Sequence, residues 1–253
     1  KENLGGNAIV GVSMAACRAA AKSLNVPLYK YFGQLTGNNS FEMPQPQLLI
    51  LEGGKHGNWA TDCQEFFVIP KRDKFENFHE MLRAGAEIFH ALEEILATKG
   101  YATGVGLEGA FCPQELSSNE EAFELLVEAT EKVGYQVEEQ IIFGTDAAAS
   151  EFYHDGKYIL KSEGNIELTA EEWIDKVVGW TEQYPLWSLE DMLHEEDWDN
   201  WTILTERLGT DHQIVGDDLL TTNVKRIQKG IDLNACNSVL IKLNQIGSVS
   251  ETL

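Results

Sequence analysis

Three carboxylates each follow an apolar segment of this sequence. Asp146 follows Ile-Ile-Phe-Gly-Thr, Glu190 follows Leu-Trp-Ser-Leu, and Asp217 follows Gln-Ile-Val-Gly. Carboxylates that converge raise the pKa of one another unless a cation lies among them. Mg²⁺ prefers hard oxygen ligands of this kind, so the sequence predicts a magnesium site. The alternative is that each acid simply caps the helix that follows its strand.

A candidate base and a candidate acid lie elsewhere in the chain. Lys242 follows Val239–Ile241, which we interpret as a strand buried on both faces. Burial and nearby positive charge would lower its pKa and make it a general base, whereas the alternative is a salt bridge to the carboxylates. Glu108 lies in the glycine-rich segment 104–110, where apolar neighbours would keep it protonated as a general acid, whereas the alternative, favoured for this residue taken alone, is an exposed loop acid. His56 could donate a hydrogen bond to a phosphate or leaving group, although it could equally be a surface residue.

These residues lie in a chain that alternates short apolar strands with helices. The predicted strands are Gln47–Leu51, Glu65–Ile69, Gln140–Thr145, Leu186–Leu189, Gln213–Gly216 and Ser238–Ile241. The predicted helices are Phe75–Thr98, Asn119–Val133, Ala170–Gln183, Asp197–Leu208 and Val224–Gly230, and a hairpin is predicted within 153–158. Such alternation predicts parallel strands covered by helices.

The positions of the charged residues favour a barrel over a doubly wound sheet. Barrel enzymes carry their chemistry at the carboxyl ends of the strands, which is where Asp146, Glu190, Asp217 and Lys242 lie. No G-x-G-x-x-G or G-x-x-x-x-G-K-[ST] motif opens a helix, which weighs against a nucleotide-binding sheet. Glu65 begins its predicted strand, so it lies at the same end of the barrel as these four residues only if the first two strands are antiparallel.

The N-terminal part differs in character from the rest. The segment Asn7–Leu24 is rich in alanine with apolar residues at helical spacing, which predicts a buried helix. A loop at 37–40 and the prolines Pro44 and Pro46 predict a domain boundary. The chain starts at Lys1 and stops just after a strand-like run, so we expect an internal fragment. With fewer strands than the roughly eight of a closed barrel, we expect it to be inactive and poorly packed by itself.

Composition limits the possible classes of function. The chain has 253 residues, with 19 basic and 41 acidic side chains and a formal net charge of −22. This charge weighs against nucleic acids and anionic membranes as partners, and no apolar run reaches the roughly 18 residues of a membrane span. The four cysteines are widely spaced without a C-x-x-C motif, which is typical of reduced thiols in a cytoplasmic protein.

At these positions the sequence resembles enolase, the phosphopyruvate hydratase family of glycolysis. The matching segments are Asn7–Ser13, Pro27–Tyr29, Gln64–Phe66, Arg83–Glu87, Asp146–Tyr153, Ser188–Asp191, Ile214–Leu219 and Lys242–Ser248. They follow one another in order over essentially the whole chain, and the last two are the most specific.

The resemblance implies an α/β fold, an enolase-type TIM-like barrel whose second strand is antiparallel. Residues 1–42 would be the helical remainder of an α+β N-terminal domain, and residues 43–253 would supply the first six strands of a truncated C-terminal barrel domain. It further implies a lyase that interconverts 2-phosphoglycerate and phosphoenolpyruvate. The family is cytoplasmic and its members form homodimers or larger homo-oligomers.

The resemblance also implies roles for individual residues. Asp146, Glu190 and Asp217 would hold the Mg²⁺ that grips the substrate carboxylate, with Glu190 and Asp217 contacting the substrate as well. Lys242 would remove the proton from C2 of 2-phosphoglycerate. Glu108 would protonate the leaving C3 hydroxyl group.

Two further residues are implied in substrate binding, and their surroundings depart from the family pattern. His56 would contact the substrate, and Glu65 would assist the acid. The usual Asp-Glu-Gly-Gly-Phe is here Leu107–Phe111, with the acid kept but its neighbours changed. The usual Gly-Ser-His-Ala-Gly becomes Gly54–Asn58, and Glu-Asp-Pro-Phe becomes Glu190–Leu193. These changes indicate a divergent branch of the family.

Two other functions stay open from the sequence. One is another magnesium-dependent barrel enzyme that acts next to a carboxylate, such as a racemase or cycloisomerase. The other is a non-catalytic enolase homologue, or an inactive fragment, that serves as a binding protein. Glu65, Glu108 and His56 together favour the lyase, because the other barrel enzymes need no such set of acids.

Overall fold

The computed structural model describes residues 3–253, which form nine strands and nine α-helices. The strands are β1 (Leu48–Glu52), β2 (Glu65–Pro70), β3 (Ile141–Asp146), β4 (Tyr153–His154), β5 (Lys157–Leu160), β6 (Ile166–Leu168), β7 (Leu186–Glu190), β8 (Gln213–Gly216) and β9 (Ser238–Val239). The helices are α1 (Gly6–Ser23), α2 (Leu28–Thr36), α3 (Phe78–Lys99), α4 (Asn119–Lys132), α5 (Ala170–Gln183), α6 (Trp198–Leu208), α7 (Val224–Leu233), α8 (Leu243–Ile246) and α9 (Val249–Thr252).

Six of the strands form one mixed sheet in the order β1-β2-β3-β7-β8-β9. Strand β2 is antiparallel to both β1 and β3, and the later strands pair in parallel. The predicted α/β barrel architecture with an antiparallel second strand is therefore confirmed. Within residues 3–253 the sheet is open, with β1 and β9 at its edges, so the barrel is incomplete. The predicted hairpin is confirmed as β4 and β5, which join β6 in a separate antiparallel sheet.

Local sequence signals explain where the helices begin and end. Helix α3 starts at Phe78 rather than at the predicted Phe75, because the side chain of Asn77 accepts a hydrogen bond from Glu80 N at 3.1 Å. It ends at Gly100, which adopts the left-handed conformation that glycine tolerates best, with φ of 78°. Helix α5 begins with a capping box in which Thr169 and Glu172 bind the backbone N–H of each other.

The core lies between the main sheet and the helices that connect its strands. Leu92 of α3 and Phe123 of α4 are fully buried, and the ring of Phe123 lies 5.1 Å from that of Phe66 in β2. On α5, Trp173 and Trp180 are buried with their rings 5.3 Å apart in an edge-to-face arrangement. Full burial of a large apolar side chain stabilises a fold by about 1.5–3 kcal/mol, so this packing fixes the sheet that positions the site.

Two sequence predictions about burial are wrong. Helix α1 is largely exposed, with Val12 at 72% exposure and only Val10 and Ala21 buried. The reason is that α1 packs mainly against α2, α8 and α9, which cover one side of it. The last strand is also shorter and more open than predicted, because β9 pairs only with β8 among the described strands and leaves Val239 and Ile241 exposed.

Candidate active site

The register of the main sheet brings the predicted carboxylates to one edge, meaning here the side of the sheet that is formed by the ends of the parallel strands. Glu65 at the start of β2 lies opposite Asp146 at the end of β3, and Asp146 lies opposite Glu190 at the end of β7. Glu190 in turn lies opposite Val215, and β8 ends just before Asp217. The antiparallel direction of β2 is what places Glu65 on this edge, because its start then coincides with the ends of the other strands.

The carboxylates at this edge are buried and repel one another. Burial is the largest cause that raises the pKa of Glu190 to about 10, and the negative charge of Asp146 is the next largest. Burial, followed by the charge of Glu65, raises the pKa of Asp146 well above its usual value. Burial, followed by the charge of Glu108, raises the pKa of Glu65 to about 8. Buried charges of one sign are unfavourable unless a cation compensates them, and this is the electrostatic pattern that a metal ion would relieve.

One close group of acids includes two residues that the sequence prediction missed. Carboxylate oxygens of Asp191, Asp217 and Asp218 all lie within 4.8 Å of one another. The Asp191 carboxylate accepts hydrogen bonds from the backbone N–H of Asp217 at 3.0 Å and of Asp218 at 2.7 Å, which ties the end of β7 to the end of β8. In the sequence, Asp191 and Asp218 are the second acids of the pairs Glu190-Asp191 and Asp217-Asp218. The prediction selected only the acid that directly follows each apolar strand.

The donor set fits a hard divalent cation. Asp146, Glu190 and Asp217 are at most 8% exposed, and carboxylate oxygens are the ligands that Mg²⁺ prefers. Asp146 also accepts a hydrogen bond from Ala148 N at 2.8 Å, which fixes the orientation of its carboxylate. The sheet register brings the three predicted ligands to the same edge, whereas the acids whose oxygens lie within 4.8 Å of one another are Asp217, Asp191 and Asp218.

Lys242 lies in this cluster and forms the salt bridge to a carboxylate that the sequence left open as the alternative. Its ammonium group forms an ion pair with the Asp217 carboxylate, and its side chain is 43% exposed. Burial lowers the pKa of Lys242, but the hydrogen bond to Asp217 and the charges of Asp217, Glu190 and Asp146 outweigh burial and raise it. The pKa of Lys242 is therefore raised rather than lowered as expected, because the surrounding carboxylates outweigh the effect of burial.

Glu108 and His56 come together from two glycine-rich loops. Oxygen Oε1 of Glu108 lies 3.0 Å from Nδ1 of His56, although the two are not aligned as a hydrogen bond. Ligand atoms of both residues and of Glu65 lie within 4.8 Å of one another. The expected apolar surroundings of Glu108 are absent, since its side chain is 45% exposed and its neighbour Leu107 is 79% exposed.

The candidate acid and base face the same cavity. A cavity of about 420 Å³ has Glu65, Glu108, Glu190 and Lys242 in its lining. The C-terminal ends of the parallel strands are where barrel enzymes bind their substrates. A small substrate in this cavity would therefore contact both carboxylates and an ammonium group.

The comparison with protein families agrees with this geometry. Residues 40–253 match the model of the enolase C-terminal TIM barrel domain, and residues 1–32 match the model of the enolase N-terminal domain. The chain belongs to the enolase family. Membership of this family supports a lyase function of the enolase type, and enolases typically use Mg²⁺. None of the helices formed by residues 3–253 combines the length and apolar character needed to cross a bilayer.

Proposed function

We propose that this member of the enolase family is a glycolytic, cytoplasmic lyase that interconverts 2-phosphoglycerate and phosphoenolpyruvate. The observation that supports this most is the shared cavity, in which Lys242 and Glu108 both face the space where a substrate would bind. A dehydration needs a base for the C–H proton and an acid for the leaving hydroxyl group. In this proposal the active form is a homodimer or a larger homo-oligomer.

Lys242 is proposed as the base that removes the C2 proton. A C–H bond next to a carboxylate is a very weak acid, so its proton leaves only where positive charge is concentrated. The ion pair between Lys242 and Asp217 corresponds to the lysine after it has accepted the proton. In the reactant state the neutral amine would have to turn from Asp217 towards the substrate.

Glu108 is proposed as the acid that protonates the leaving C3 hydroxyl group, with Glu65 and His56 beside it. The raised pKa of Glu65, about 8, keeps that carboxyl group neutral near pH 7. A neutral Glu65 can donate a hydrogen bond into the cavity and adds no further charge beside Glu108. His56 approaches Glu108 from the opposite loop and is proposed to orient the substrate.

Asp146, Glu190 and Asp217 are proposed to hold Mg²⁺, with Glu190 and Asp217 also near the substrate carboxylate. When bound, the ion would stabilise the negative charge that develops on the substrate carboxylate once the C2 proton is removed. The residues of the chain then hold the carboxylate end of the substrate near Glu190 and its C3 hydroxyl near Glu108. This arrangement separates the sites of proton removal and hydroxide loss.

Exchange of the C2 hydrogen of 2-phosphoglycerate with solvent, followed by NMR in the full-length protein, tests these roles. Lys242→Ala should abolish the exchange, whereas Glu108→Gln should stop dehydration and retain it, because proton removal precedes loss of hydroxide. Lys225→Ala, at an exposed lysine in the first turn of α7, is the matched control and should behave like the parent. Equal exchange in the Lys242 and Glu108 variants would refute the two roles. A parent chain that binds the substrate without exchange or turnover would favour the binding-protein alternative.

A further inference from the structure

Glu52 is a buried acid at the end of β1 to which the proposed mechanism gives no role. The residue is 0% exposed. Its carboxylate accepts from the backbone N–H of Glu108, with Glu108 N lying 3.3 Å from Oε2 and 3.4 Å from Oε1. Burial of a carboxylate is unfavourable unless hydrogen bonds replace its contacts with water. For Glu52, the backbone N–H of Glu108 supplies such a hydrogen bond.

The surrounding backbone is shaped to let this carboxylate reach the Glu108 loop. A side chain at Gly106 would collide with the Glu52 carboxylate, so the loop can cross Glu52 only because this position is glycine. The same loop is tied to β1 by hydrogen bonds from Glu52 N to Phe111 O at 2.8 Å and from Phe111 N to Ile50 O at 3.1 Å. These two bonds anchor one end of the loop, and the Glu52 carboxylate holds its tip.

The second catalytic loop also meets Glu52. Leu107 N donates to His56 O at 3.2 Å, which joins the tip of the Glu108 loop to the loop that carries His56. Gly57 packs so closely on the backbone of Glu52 that a side chain there would collide with it. Glu52 therefore lies where both loops cross the end of β1, and its length determines how deeply the Glu108 backbone sits.

We propose that Glu52 is a positioning residue whose carboxylate holds the backbone N–H of Glu108 and thereby sets the approach of the Glu108 side chain to His56 and the substrate. The required property is the reach of the side chain rather than its charge. A glutamine has the same length and keeps an oxygen acceptor, whereas an aspartate keeps the charge but is one methylene shorter. Glu52→Gln and Glu52→Asp therefore separate the two properties, and both variants stay polar at a site that already holds a polar group.

Amide hydrogen exchange by NMR tests the contact itself. Loss of the hydrogen bond in Glu52→Asp should speed exchange of the Glu108 amide by about tenfold, whereas Glu52→Gln, which keeps an oxygen acceptor at the same reach, should speed it by no more than about twofold. The Phe111 amide, bonded to Ile50 O, reports whether the loop anchor is intact. Glu115→Asp is the matched control, because Glu115 is an exposed acid of the same loop that accepts from Ala102 N at 3.2 Å.

Turnover provides a second readout, which rests on the function proposed above. Glu52→Asp should lower kcat by about tenfold with little change in KM, because the misplaced acid affects the dehydration step. Exchange of the C2 hydrogen should persist, and Glu52→Gln should restore kcat. Unchanged Glu108 amide exchange in Glu52→Asp would overturn the inference, as would equal effects of the aspartate and glutamine variants. If the full-length parent shows no turnover, the proposed function fails while the amide result still decides the role of Glu52.

Discussion

Replacement of Asp62 by alanine should destabilise the protein by about 3 kcal/mol. Asp62 is 2% exposed in the segment between β1 and β2. Its carboxylate accepts from Lys161 N at 2.7 Å, from Ser162 N at 3.3 Å, and from the hydroxyl group of Ser162. Hydrogen bonds to a charged group contribute about 1.5–3 kcal/mol each. The three contacts are only part-buried and neighbouring contributions do not add fully, so the expected total of about 3 kcal/mol lies below their simple sum.

The same contacts connect stability to the site. They tie the segment that carries His56 to the turn after β5, so their loss should loosen that segment as well as lower stability. For a chain of this size, about 3 kcal/mol corresponds to a decrease in Tm of about 6–12 °C. Asp62→Asn retains one acceptor oxygen and should lose about half as much, since the second oxygen and the charge are gone.

Urea denaturation followed by circular dichroism measures this loss, with a thermal scan as a second reading. Asp211→Ala, at an exposed acid, is the control for loss of an aspartate alone and should change stability by less than about 0.5 kcal/mol. A double-mutant cycle with Ser162→Ala should show that the two changes are not additive. The reasoning is refuted if Asp62→Ala is no less stable than Asp211→Ala, or if the cycle gives simple additivity.

Two further outcomes follow from the carboxylate edge. Asp217→Asn should weaken Mg²⁺ binding by about tenfold or more, because it removes one negative charge from the ligand set; unchanged affinity in a calorimetric titration would exclude Asp217 as a ligand. Burial first, and the charge of Glu108 second, raise the pKa of Glu65 from 4.5 to about 8, so folding favours its protonated form. Without divalent ions, the stability from Glu65 is present below about pH 4.5 and lost as the pH rises through about 8. Urea denaturation across this pH range should show a smaller decrease in the free energy of unfolding for Glu65→Gln than for the parent. Identical pH profiles of the two proteins would contradict this prediction.

The sequence by itself determined the elements and the edge at which the chemistry lies. Alternating apolar strands and amphipathic helices predicted the strands of the main sheet and the helices between them, because these periodicities reflect which faces must be buried. Glu65 lies at the same strand ends as Asp146 and Glu190 only if β2 is antiparallel, which the resemblance implied and the register confirms. Local signals also predicted the hairpin at β4 and β5, since an Asp-Gly pair favours its turn.

Only the tertiary structure decided which groups surround each of these residues. Sequence spacing predicted a buried Lys242 and an enclosed Glu108, yet the first is paired with Asp217 and the second is 45% exposed. Asp191 and Glu52 carried no local signal of their contacts, because their partners are backbone N–H groups on other strands and loops. Local periodicity fixes which face of an element is apolar, whereas burial, ion pairs and pKa values depend on neighbours that are distant along the chain and meet only in the folded protein.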